Sequence, residues 1–227
     1  MLVNGGSAVS CRPVTRRSLT NEFRAAARGL RPAYPIETVN LALRPFAAGD
    51  LGDLYAYHSR PEVVRYLYWE PCDRAQAREA LERRMGQTAL DAQGQSLVLA
   101  IELRALRRVI GEVRLHWLHQ GYRQGEIGFV FNPDFQGRGL ATEAAAATLQ
   151  LGFDGLDLHR IIGRCDVRNH ASARVMERLG MRREAHFVHN EIFKGEWGEE
   201  LWYGILEHEW LERERNAGYD GERRAER

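Results

Sequence analysis

The sequence predicts a single α/β domain built on a mixed sheet with helices on its faces. Three observations carry this. Strand-like runs come first, in meander order, with hairpin-sized gaps between them. A strand–helix–strand–helix–strand alternation follows, and the two together mean a mixed sheet. The chain has 227 residues, 44% hydrophobic and 28% charged, enough for one well-buried core.

Residues 1–36 stand outside that domain. They hold Arg12, Arg16, Arg17, Arg24, Arg28 and Arg31 against one acid, Glu22, with Gly, Ser and Pro between them. No apolar core of roughly 7–15 residues follows the basic start, so this is not a secretory signal. The expectation is a flexible basic arm or an over-long start, with an organelle transit peptide as the alternative. The domain is expected over 37–210, and a charged tail, frayed helix or disorder, over 211–227.

Within the domain, Thr38–Pro45 alternates Val39, Leu41 and Leu43 with polar positions, as in a half-buried strand. A short helix is expected from about Asp50 to His58. Ser59 and Glu62, with Pro61 in the first turn, read as a capping box opening a helix through Tyr66. Asp73 and Gln76 repeat that signal for a helix to about Leu90, with Leu81 and Met85 on one face. Strands follow at Ser96–Leu103, Val109–His116 and Glu126–Phe131, the first two joined as a hairpin. An alanine-rich helix from about Gly139 to Phe153 comes next, then a strand at Arg160–Val167 and a helix at Ala171–Leu179. Strands near Arg183–His189 and Leu201–Glu207 close the order.

Composition excludes several classes. A formal net charge of +1 argues against a general nucleic-acid-binding surface. No apolar run approaches the roughly 20 residues of a membrane span. Cys11, Cys72 and Cys165 are odd in number and far apart, so neither a disulfide framework nor a zinc knuckle is expected, and a reduced, cytoplasmic protein is. Of 32 basic residues only Lys194 is lysine, so arginine counts say little here about phosphate recognition.

The segment that carries chemistry is Glu126-Ile-Gly-Phe-Val-Phe-Asn-Pro-Asp-Phe-Gln-Gly-Arg-Gly-Leu-Ala-Thr-Glu143. A strand ends at Phe131, Pro133 stops its ladder, and Gln136-Gly137-Arg138-Gly139 forms a loop at a helix start. The first turn of a helix leaves backbone N–H groups without partners and carries partial positive charge. Two glycines there let a phosphate approach those groups. A dinucleotide fingerprint needs a small third residue where Thr142 stands, and a Walker loop needs Gly-Lys-Ser/Thr. A purely structural glycine turn is the bland alternative.

Gln136-Gly137-Arg138-Gly139-Leu140-Ala141 resembles the Q/R-x-x-G-x-G/A signature of the Gcn5-related N-acetyltransferase (GNAT) superfamily. Arg160–Met181, with Asn169, Ser172 and a Leu-Gly close, resembles that superfamily's second block. Leu43-Arg44-Pro45-Phe46 and Gly195-Glu196-Trp197 resemble the branch that acetylates N-termini of ribosomal proteins. The similarity covers roughly 38–210.

The resemblance implies a sheet splayed at its centre and direct attack of an amine on the thioester of acetyl-CoA, with no metal. It implies that Phe129, Val130 and Phe131 lie nearest this co-substrate, with a backbone N–H, expected at Val130, polarising the thioester carbonyl. The segment Gly137, Arg138, Gly139, Leu140, Ala141 and Thr142, after Gln136, would hold the pyrophosphate. Asn169 would orient the pantetheine, and Ser172 would sit near the sulfur. An amine with a pKa of about 8 to 10 must lose a proton before it attacks. Glu126 is the first candidate base and Glu112 the second. The leaving thiolate needs a proton; where many relatives place a tyrosine, this chain has Met176, which shifts the acid role toward Ser172. Met181 replaces the usual Phe.

The acceptor stays open among a protein N-terminus, an antibiotic amine and a polyamine. A longer acyl donor such as succinyl-CoA and a non-catalytic CoA-sensing module also stay open, as does monomer or homodimer. His116 with His119, and His186 with His189, have ligand-like spacing without a third ligand. Tyr66, Tyr68 and Trp69 read either as an acceptor-pocket wall or as helical core. Trp197, Trp202 and Trp210 read as a packing cluster.

Overall fold

A computed structural model describes residues 29–225. Eight strands form one sheet: β1 (Ile36–Glu37), β2 (Leu41–Arg44), β3 (Ser96–Leu103), β4 (Arg108–His119), β5 (Gln124–Phe131), β6 (Arg160–Asp166), β7 (Arg182–Phe193) and β8 (Glu196–Leu206). Their spatial order is β1-β2-β3-β4-β5-β6-β8-β7. β1 through β5 pair antiparallel, joined by short turns except between β2 and β3, where three helices intervene. Between β5 and β6 the chain crosses over through a helix, and these two strands pair parallel. The sheet is therefore mixed and mostly antiparallel.

Six helices cover it: α1 (Leu51–His58), α2 (Pro61–Val64), α3 (Arg74–Met85), α4 (Leu140–Gln150), α5 (His170–Arg178) and α6 (Glu207–Ala225). One face buries Leu115, Ile127 and Ile161 against Ala144 and Leu149 of α4, Met176 of α5 and Trp210 of α6. The other buries Val98, Ala100 and Val109 against Leu54, Tyr57 and Leu81 of α1 and α3. Strand alternation makes both faces apolar, so helices must cover both.

The sheet splits at its parallel pair. β5 and β6 pair from Gln124↔Arg160 to Ile127↔Gly163 and no further. β5 stays with β4 to Phe131↔Gly111, and β6 stays with β8 to Asp166↔Glu200. The ends of β5 and β6 diverge, and a cleft opens between them.

Several local expectations needed correction. Val39 is not a strand residue; it sits in the turn between β1 and β2, 87% exposed. Ser59 does not cap α2: its hydroxyl donates to the Tyr55 carbonyl at 2.7 Å and closes α1, while Arg60 stands at the N-cap. Helix α2 accordingly stops at Val64. At α3 the box forms as read, with Asp73 accepting from the Gln76 N–H at 2.8 Å and Gln76 accepting from the Asp73 N–H at 2.9 Å. That helix ends at Met85, which is exposed while Leu81 is buried.

Ordered structure begins before the expected boundary at 37, and a helix occupies the expected tail. Residues 1–28 lie outside the described residues, but Leu30 is buried and bridges Leu90 through two backbone hydrogen bonds. Helix α6 runs on through the expected tail and buries Trp210, whose indole N–H donates to Gln150 at 2.8 Å.

Candidate functional site

The cleft at the split has a volume of about 1110 Å³. Its walls are the diverging ends of β5 and β6, the loop Gln136–Gly139 with the first turn of α4, the start of α5, the segment Tyr66–Trp69, and Glu191–Glu200 of the β7–β8 hairpin. Every residue expected from the sequence to act in catalysis or to hold acetyl-CoA, except Arg138, lines it. Arg138 sits in the loop with its guanidinium 5.9 Å from the Phe135 ring.

The loop is built for close approach. Gly137 and Gly139 hold φ of 79° and 76°, a left-handed conformation natural to glycine, and nothing stands within 4 Å of where their Cβ atoms would be. The first intrahelical bond of α4 runs from the Glu143 N–H to the Gly139 carbonyl at 3.0 Å. The N–H groups of Leu140, Ala141 and Thr142 therefore have no acceptor within the helix. The Thr142 hydroxyl is buried with no partner among the described residues. A cluster of open donors around an uncluttered backbone is what a pyrophosphate requires. Glu143 anchors this turn to the far edge of the sheet, accepting from Thr38 Oγ1 at 2.6 Å and from the Asn40 N–H at 2.7 Å. Burial would raise its carboxyl, but those bonds hold it below the usual range.

Alternation decides which groups of β5 face the split. The Asn132 N–H donates to the Ile110 carbonyl of the β4 side at 2.8 Å. Two residues back, Val130 points its N–H and C=O the same way, so those of Phe129 and Phe131 face the diverging strand. The Val130 N–H, expected to polarise a thioester, thus turns toward β4 and away from the split, because sequence spacing does not reveal which side of a strand its N–H groups take.

At the other wall Asn169 caps α5, its Oδ1 accepting from the Ser172 N–H at 3.1 Å. Ser172 is half-buried at the cleft. Met176 is 1% exposed, and its Sδ lies 2.6 Å from where a Cβ on Gly163 would stand, so it fills the space between α5 and β6.

On the cleft face toward α1 and α3, β4, β5, β6 and β8 present a row of charges. Glu126 is buried with its Oε1 2.9 Å from Arg114 and both oxygens 3.3 Å from Arg164. Arg164 rests on the Trp202 ring at 5.4 Å and lies 3.6 Å from Glu200. Glu112, the second candidate base, is corrected: Arg84 grips both its oxygens at 2.6 and 2.7 Å. Burial raises that carboxyl, but Arg84 and His58 outweigh it and hold it at about 2, too acidic to take an amine's proton.

Tyr66, Tyr68 and Trp69 all line the cleft, beyond the end of α2 rather than in a helix. The tryptophans do not cluster: Trp210 is core, Trp202 underlies Arg164, and Trp197 is 61% exposed on the hairpin. The histidine pairs separate too, His116 bonding Ser96, His119 stacking on Tyr122, His186 bonding Glu199 and His189 stacking on Trp197. No group of three potential metal ligands exists among the described residues. Sequence reasoning missed Lys194, whose ammonium donates to the Val64 and Trp69 carbonyls at 3.1 and 3.0 Å. It ties the β7–β8 turn to the Tyr66–Trp69 wall.

Known proteins are similar to this chain. Residues 40–182 match the family model described as an acetyltransferase (GNAT) domain. The uncharacterized N-acetyltransferase YnaD of Bacillus subtilis (strain 168) is 35% identical over 175 residues, 77% of this chain and 98% of that protein. The crystal structure of a GNAT-family acetyltransferase from Bacillus anthracis matches with a TM-score of 0.69 and 34% identity, over 76% of this chain and 98% of that one. The spermidine N(1)-acetyltransferase of Escherichia coli (strain K12) is 24% identical over 179 residues, 79% of this chain and 92% of that protein. A glycine loop at a helix start, facing a split parallel strand pair in a chain so related, makes this protein a member of the GNAT family of N-acetyltransferases.

Proposed function

We propose that the enzyme moves an acetyl group from acetyl-CoA to a primary amine by direct attack, and that the acceptor is a protein N-terminus. One observation carries the transfer reading: the open donors of the Gly137–Thr142 turn and the free backbone edge of Phe129 and Phe131 share one cleft. Acetyl-CoA supplies an activated acyl carbon. The N–H groups of the turn and the Thr142 hydroxyl hold its pyrophosphate, and the β5 edge pairs with its pantetheine arm. The N–H of Phe129 or Phe131 stabilises charge developing on the acyl oxygen. Asn169 orients the arm from its cap position, and the Ser172 hydroxyl delivers a proton to the departing sulfur.

Direct attack is favoured over an acyl-enzyme because Cys165, the one cysteine at the cleft among the described residues, is a poor nucleophile. Burial pushes the Cys165 thiol up to about 12, so it stays protonated at neutral pH.

The N-terminal acceptor rests on the Leu43–Phe46 and Gly195–Trp197 segments and on a cleft walled by Tyr66–Trp69 and the β7–β8 hairpin. A second reading, a polyamine acceptor, is favoured by the resemblance to a spermidine acetyltransferase and by the carboxylates Glu191, Glu199 and Glu200 in that wall. Thiol release from acetyl-CoA with free-N-terminus peptides and spermidine separates them. Turnover with peptides alone supports the first, turnover with spermidine alone the second, and no turnover with any amine refutes the transfer reading.

A further inference from the structure

The amine must surrender a proton inside the cleft, and the carboxylates there are not equally able to take it. Glu112 is saturated by Arg84, and Glu126 lies between Arg114 and Arg164 with both oxygens engaged. Glu191 accepts from the Tyr68 hydroxyl at 2.6 Å near the hairpin end, and Glu199 bonds His186. Glu200 differs. It is buried at the cleft, and its Oε2 is fixed by the Trp202 indole N–H at 2.6 Å and by Asn190 at 3.4 Å. Its Oε1 has no hydrogen bond among the described residues, and its nearest cation, Arg164 Nη1, is 3.6 Å away. A buried carboxylate held in one orientation with one oxygen unsaturated is a ready seat for a cation.

We propose that Glu200 receives the acceptor's ammonium group and takes its proton, and that Glu126 is a positioning residue that holds Arg114 and Arg164. This rests on the transfer reading above. The acceptor nitrogen gives one proton to Glu200 and forms its bond to the acyl carbon as the carbon–sulfur bond breaks. The leaving sulfur takes a proton from Ser172, which is reprotonated by the second proton that the new amide nitrogen sheds, and Glu200 returns its own to solvent. The register sets Glu200 on β8 opposite Asp166 of β6, at the mouth of the split. The charged groups around it are Arg164 and Asp166 from β6, Glu126 from β5, Tyr68 from the α2–α3 segment and Glu191 from β7. Arg164, stacked on Trp202, is held beside the carboxylate.

The test is steady-state kinetics of Glu200→Gln, Glu200→Asp and Glu126→Gln from pH 7 to 10, with the best amine of the panel and with acetyl-CoA affinity measured in parallel. Gln preserves an acceptor for the Trp202 N–H. Glu200→Gln is expected to bind acetyl-CoA like wild type and to lose roughly 10²-fold in kcat/KM at pH 7. That deficit should shrink toward pH 10, where the amine arrives neutral, and Glu200→Asp should recover part of it. A pH-independent deficit, or one confined to Glu126→Gln, overturns the assignment. Loss of acetyl-CoA binding by wild type would instead mark failure of the underlying transfer reading.

Discussion

Ile127 of β5 and Gly163 of β6 form the last pair that joins these parallel strands. Everything proposed for the cleft follows from that stop. Beyond it the backbone edge of β5 is free, Arg164 and Cys165 turn toward the opening, and α4 and α5 bring their N-terminal turns to its two sides.

Gly163 is also required sterically. A Cβ there would meet Met176 Sδ at 2.6 Å, so Gly163→Ala is expected to lose about 1–3 kcal/mol in urea unfolding. Combining it with Met176→Ala should recover part of that loss, and strictly additive effects would contradict the contact.

Gly139 tests the phosphate turn. Gly139→Val forces a β-branched residue to a φ of 76°, at a cost of about 1–2 kcal/mol. The expected result is acetyl-CoA affinity weaker by roughly tenfold or more, read by calorimetry. Unchanged affinity would remove the turn from the binding site.

Glu112 predicts an acid-dependent stability term. Its carboxyl is held at about 2, below the ordinary 4.5, so the stabilisation is complete above about pH 4.5 and is lost as pH falls toward 2. Glu112→Gln should cost about 3 kcal/mol near neutral pH by leaving Arg84 buried without its partner. The gap between variant and wild type should close steadily below pH 4.5, which denaturation at several pH values reads directly.

Glu126→Gln should behave differently. Arg114 and Arg164 have side chains 42% and 34% exposed, so solvent compensates the lost charge and stability falls by about 1 kcal/mol. The pH–rate profile should keep its wild-type form, and a deficit at pH 7 that shrinks toward pH 10 would return the base role to Glu126.

The site was only partly legible in the sequence. The Gln136–Thr142 turn, the Asn169 cap and the Asp73–Gln76 box are local, set by residues within one turn, and local chemistry is readable. The base was not. Glu126 has its neighbours on β4 and β6, and Glu200 has its own on β6, β7 and β8, and strand register decides who meets whom. Val130 failed for a related reason, since the direction of an N–H depends on the partner strand. Lys194 carried no motif, because backbone carbonyls that it ties together lie 125 and 130 residues away.

The central claim is that one cleft binds acetyl-CoA through the Gly137–Thr142 turn and passes its acetyl group to an amine. Calorimetric titration of the protein with acetyl-CoA tests it most directly. One saturable site, weakened in Gly139→Val, is the predicted result; absence of binding at about 100 μM ligand would contradict it.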